Sequence, residues 1–140
     1  MLVLASTTAF AQKTHVITLN VDTGYLTDKN ADQVSNFGQN KRTSNKDFTT
    51  TVKIGDVVKW RGISSRDKNH RVLIKSINYE SGARILGKSV INGKGGMVTT
   101  VINSGKRGDL QKYKVVFTVM INGRATNKVY IIDPKIRIGV

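Results

Sequence analysis

Two histidines, three methionines and nine acidic residues are the side chains here with the chemistry to hold a metal or move a proton, and there is no cysteine. Without a thiolate, a disulfide framework, a blue-copper centre and a cysteine-ligated zinc site are all excluded. His15, His70, Met97 and Met120 would offer imidazole and thioether ligands to Cu(I) only if the fold brought all four together. Asp28, Asn30 and Asp32 have the spacing that opens a calcium loop. The glycine due at its sixth position and the glutamate due at its twelfth are both missing. No G-x-S-x-G elbow marks a nucleophile, and only His15 and His70 could serve as its base. Asp22, Asp56, Glu80, Asp109 and Asp133 flank turns, where capping explains them. The glycine-rich stretch 93–96 lacks the G-x-x-x-x-G-K-[ST] pattern, and no helix follows it to receive an anion. These residues point away from catalysis and call for no metal and no cofactor.

Charge carries more information. The chain has 23 Lys and Arg against nine acids, a formal net charge of +14. Residues 81–140 hold eleven of those cations against two acids. A field of that sign attracts polyanions: an anionic glycan, lipopolysaccharide, an anionic lipid surface or, without sequence preference, nucleic acid. Lys94, Lys106, Arg107, Lys112, Lys114, Arg124 and Lys128 form the candidate basic face.

The elements that must position these groups read as strands. Tyr113, Val115, Phe117, Val119 and Ile121 alternate with more polar neighbours, the period of a strand with one buried face. Asn122-Gly123 is a hairpin turn, because both residues tolerate positive φ. Residues 129–132 read as the returning strand. Asp133-Pro134 breaks the ladder, since proline has no N–H to donate, and Ile136, Ile138 and Val140 resume the alternation. Earlier in the chain, His15, Ile17, Leu19 and Val21 mark a first strand with His15 at its exposed start. Residues 48–54 and 57–61 make the next two, joined at a Gly55-Asp56 turn, with Trp60 facing inward as the core anchor. Further strands are expected over 71–79, 85–91 and 97–102. The stretch 24–47 is polar and reads as one long loop.

Helical periodicity is absent. The expected fold is therefore all-β, a single-domain greek-key β-sandwich of about seven to nine strands, cupredoxin-like or immunoglobulin-like in outline. The domain is expected over 12–140. Residues 1–11 read as the remnant of a secretory signal peptide: the run is apolar, lacks a basic start and ends Ala9-Phe10-Ala11. An exported protein, periplasmic or extracellular, is the expectation, and no stretch is long enough to cross a bilayer as a helix.

Four pieces together resemble one family. VITLNVDT, VKIGDVVKWRGIS, RVLIKSINY and KYKVVFTVMINGRATNKVYIIDPKIRI are similar, in that order, to segments of the bacterial AidA/PixA inclusion body proteins. The resemblance spans most of 13–138. It implies a small β-sandwich that is not an enzyme and that accumulates as inclusions. It carries over no functional residue, because the shared positions, Gly55, Asp56, Trp60, Asp133 and Pro134, are structural. Export and the strongly basic balance depart from a cytoplasmic inclusion role. The expectation is accordingly an exported binding module for an anionic surface or glycan. The alternatives are a self-assembling protein of the inclusion-body type, forming homo-oligomers, and a cupredoxin-like metal-handling protein.

Overall fold

The structure is a computed structural model that describes residues 12–139. The signal-peptide remnant at 1–11 and the alternation expected to end at Val140 lie outside the described residues. Eleven strands form two sheets around one hydrophobic core, and the only helical element described is a 3-10 turn at Asn45–Asp47. The all-β sandwich is as the alternation implies. Two of its strands are only two residues long.

The first sheet contains β1 (Thr14–Val21), β2 (Ser35–Asn36), β4 (Val57–Ser64) and β7 (Val98–Val101), in the order β2-β1-β4-β7. The second contains β3 (Thr49–Val52), β5 (His70–Gly82), β6 (Val90–Asn92), β8 (Leu110–Ile121) and β11 (Lys135–Ile138), in the order β3-β11-β8-β5-β6. β9 (Arg124–Ala125) and β10 (Tyr130–Ile132) pair with β8 on the flank that β11 continues. Both sheets are mixed, because β1 runs parallel to β4 and β3 parallel to β11. A parallel neighbour needs a long connection, and residues 22–56 supply it between β1 and β4.

Strand β8 organises the second sheet. Tyr113, Val115, Phe117 and Val119 are buried, as period-two alternation requires, while Ile121 at the strand end is half exposed. Asn122 and Gly123 have φ of 52° and 80°, the conformation of a two-residue primed turn, and Ile121 pairs with Arg124 across it. The return is broken twice. It leaves β8 after Ala125, rejoins it at Tyr130, leaves again at Asp133-Pro134 and rejoins it at Lys135.

The sheets are joined at Trp60. Its indole N–H donates to the Tyr113 hydroxyl at 3.0 Å, and the two rings meet edge to face with centroids 5.6 Å apart. Both side chains are fully buried. Burial of a large side chain stabilises by about 1.5–3 kcal/mol, and here the one polar atom on each ring satisfies the other.

Three expectations need correction. The strand expected over 85–91 is only β6: Ile85 and Leu86 are buried in a turn ending at Gly87, φ 77°. The Leu86 N–H is bonded there by the buried side chain of Gln111. β4 runs on to Ser64, three residues beyond the 57–61 expected of it. The polar stretch 24–47 is built around buried Asn45, whose side-chain amide donates to the Ser35 and Asp32 carbonyls and whose Oδ1 accepts from Gln39. Phe37 stacks on Phe48 at 4.8 Å and closes that segment onto the core.

Candidate functional site

Each group singled out for its chemistry has a definite structural partner. His15 opens β1, half-buried rather than exposed, and its Nε2 donates to Asp56 Oδ2 at 2.7 Å. Asp56 also accepts from the backbone N–H groups of Lys53 at 2.9 Å and Lys13 at 3.3 Å. Burial pushes its carboxyl upward, but the His15 bond and the two backbone donors outweigh that and hold it below the usual carboxylate range. Three segments meet on this one carboxylate, so Asp56 is more than a turn residue. His70 opens β5, and its Nδ1 is hydrogen-bonded to Thr23 Oγ1 at 2.6 Å, with Ser64 Oγ 2.8 Å beyond. Its Nε2 faces Asp67 at 3.6 Å.

His15 lies at the start of β1 and Thr23 just beyond its end, so the two histidines are about 25 Å apart along the strand. A site drawing on His15, His70, Met97 and Met120 cannot assemble. Among the described residues no group of three or more His, Cys, Asp and Glu is placed to hold a metal ion. The would-be calcium ligands are also engaged: Asp28 pairs with Lys128 at 3.1 Å, Asn30 caps the turn at Thr27, and Asp32 accepts from Asn45. A groove of about 410 Å³ runs beside His70, lined by Arg61, Ser64, Lys68, Arg71 and Met97 among others. Thr23, hydrogen-bonded to both Ser64 and His70 of that lining, is itself buried.

The seven basic residues expected to share a face divide. Lys112 and Lys114 stand on the outer face of β8, and Lys106 and Arg107 lie in the turn just before it. Lys94 lies in the β6–β7 turn, bridged to Met97, and Arg124 sits at the hairpin beyond the far end of β8. Lys128 is paired with Asp28, whose carboxylate raises the ammonium above its ordinary value. Register adds two cations that were not among those seven. Lys135 lies directly opposite Lys112, and Arg137 lies opposite Leu110. Like charges directly opposite in a sheet are unfavourable. Asp47 answers Lys135 at 3.3 Å, and the Lys135 hydrogen bond holds that exposed carboxylate below its ordinary value.

The architecture is an all-β sandwich of two mixed sheets with a basic corner and no assembled catalytic or metal centre among its described residues. No known family model matches the sequence, and no curated protein matches it. The fold is similar to the crystal structure of an inclusion body protein, PixA, from Burkholderia cenocepacia J2315. The TM-score is 0.65 at 14% identity, and the match covers 94% of this chain and 99% of that one. The chain has the fold of that PixA protein. No helix among the described residues is long and apolar enough to cross a membrane.

Proposed function

We propose that the chain is a non-catalytic structural protein of the PixA family that assembles with copies of itself into inclusion-type bodies. The observation that carries this reading is the fold shared, over nearly the whole of both chains, with a protein described as an inclusion body protein. The residues of the family resemblance support it. Gly55 and Asp56 form the turn below β4, Trp60 pins the two sheets, and Asp133-Pro134 separates β10 from β11. All five hold the sandwich together. The test is sedimentation and light scattering of the purified chain from micromolar to millimolar concentration, together with microscopy of expressing cells. Concentration-dependent assembly and dense bodies are the expected result. A strictly monomeric protein across that range overturns the reading.

A second reading rests on the corner where Lys112 opposes Lys135. Lys114 and Arg137 flank that pair, with Lys106 and Arg107 in the turn before β8; Asp47 is bound to Lys135, Asp109 to the Lys106 N–H, and Asp133 takes the position opposite Lys114. An anionic glycan or lipid headgroup laid across β8 and β11 would relieve the opposition. Heparin retention well above physiological salt, reduced by Lys112→Ala and Arg137→Ala, is the expected result. Elution near physiological salt overturns it.

A further inference from the structure

Edge strands expose unpaired backbone donors and acceptors, and proteins ordinarily blunt them with charge or proline. This sandwich does the reverse. None of the residues in β2, β7, β3 and β6, the strands that end the two sheets, is charged or proline. The cations instead occupy the interior strands: Lys59 and Arg61 on β4, Arg71 and Lys75 on β5, Lys112 and Lys114 on β8, Lys135 and Arg137 on β11. At a net charge of +14, two copies repel face to face. Along the terminal strands no cation lies in the paired strands themselves, and the nearest is Arg137, which donates to the Thr51 hydroxyl at 3.4 Å.

Two of these four terminal strands are long enough to pair. In β7 the Ile102 N–H donates to Asp56 O on the β4 side, so alternation turns the backbone groups of Val101 and Thr99 outward. In β3 the carbonyls of Phe48 and Val52 accept from Lys135 and Gly139 on the β11 side, which turns Thr49 and Thr51 outward. Antiparallel pairing of two β7 edges then sets Thr99 of one copy against Val101 of the other, with Thr100 on the two-fold axis. Pairing of two β3 edges sets Thr49 against Thr51, with Thr50 on the axis. Each contact offers four backbone hydrogen bonds and only β-branched cross-strand pairs.

The two edges are on opposite flanks. β7 packs beside β5 and β6, whereas β3 follows Phe48, which stacks on Phe37 just after β2. A two-fold contact at one flank closes into a dimer, and a second, different one at the other flank opens it into a chain. We infer that the assembly partner is a second copy of this chain, added edge to edge through β7 and through β3 in alternation. The inference rests on the self-assembly reading and specifies its contacts.

Proline at an outward-facing edge position removes the donor without touching the existing ladder, so Thr99→Pro and Thr51→Pro each delete one contact. Thr99→Lys and Thr51→Lys repeat the test should a proline variant fold poorly, and Val129→Lys adds the same charge in the exposed loop between β9 and β10. Sedimentation of wild type and variants at matched concentration and salt is the measurement. Open-ended assembly of wild type and Val129→Lys, dimers from either single-edge variant and monomers from the double variant are expected. A double variant that assembles like wild type overturns the edge inference while leaving self-assembly standing. Equal loss on Val129→Lys also overturns it, by tracing the effect to net charge. A monomeric wild type removes the assembly reading and the inference with it.

Discussion

Tyr113→Phe deletes one oxygen and leaves the ring in place, which makes it the cleanest probe of how the two sheets are joined. The lost hydroxyl accepts the Trp60 indole N–H at 3.0 Å, and both residues are at most 1% exposed, so no water replaces it. A buried donor left unsatisfied costs about 1–3 kcal/mol. For a chain of this length that lowers the thermal midpoint by roughly 4 °C per kcal/mol. Trp60→Ala, which empties the space as well, should cost about 3–5 kcal/mol. Trp60→Phe strands the Tyr113 hydroxyl instead, and a cycle combining it with Tyr113→Phe should return a coupling of about 0.5–3 kcal/mol. Urea unfolding followed by the fluorescence of the single tryptophan measures the tyrosine variant, with circular dichroism for the others. Tyr79→Phe is the control, because its hydroxyl bonds the Gly82 carbonyl at an exposed site. Burial also holds the Tyr113 phenol protonated far above the ordinary tyrosine range. In an alkaline absorbance titration it should ionise only as the protein unfolds. A Tyr113→Phe protein as stable as wild type within a few tenths of a kcal/mol, at unchanged m, would refute the account of this joint.

Two further predictions concern the points where β4 meets its neighbours. Asp56 has a depressed carboxyl pKa, so its stabilisation is fully present above the unfolded-state value near 4 and is lost as pH falls through the lower folded value. Asp56→Asn should cost about 1–3 kcal/mol at neutral pH and flatten the decline of the unfolding midpoint in acid, and an unchanged acid profile would refute the role. A Cβ built on Gly62 would lie 2.4 Å from Val72 Cγ1 and 2.8 Å from its carbonyl oxygen. Gly62→Ala must therefore push β4 away from β5 and should cost about 1–3 kcal/mol in urea unfolding; a neutral result would show that the two sheets do not approach so closely there.

What the sequence displays is set by distance along the chain. The inner face of β8, the Asn122-Gly123 turn and the Asp133-Pro134 break are local patterns, and the structure reproduces them. Trp60 facing inward is equally local, through its alternation with Val58. Its bond to Tyr113 joins residues 53 apart, and the only available signal was that both occupy inward positions. The Asp56 clamp and the Thr23–His70 bond span 41 and 47 residues and leave no periodic trace. Asn45 looks like any other polar residue in a polar loop until Ser35 and Asp32 close over it. Ile85 and Leu86 carry strand-forming side chains, but Gln111 and Gly87 hold them in a turn. The basic face suffered most. Summing charge along 81–140 grouped Arg124 and Lys94 with Lys112, whereas register across β8 and β11 groups Lys112 with Lys135.

The same charge pattern bears on both functional readings, and with opposite sign. Cations on the interior strands favour a polyanion across β8 and β11, an attraction that salt weakens. Those cations also hold copies of the chain apart, and the neutral edges of β3 and β7 gain nothing from charge, so edge pairing strengthens as salt screens the faces. A bound polyanion would act on β7 pairing as salt does, by neutralising Lys112 and Lys135, but it would also reach the β3 edge, where Arg137 donates to the Thr51 hydroxyl at 3.4 Å. Salt alone therefore separates the two behaviours, since heparin retention should fall over the range in which sedimentation shows assembly rising. If both fell together, assembly would itself be charge-driven, and its contacts would lie on the faces of the sandwich.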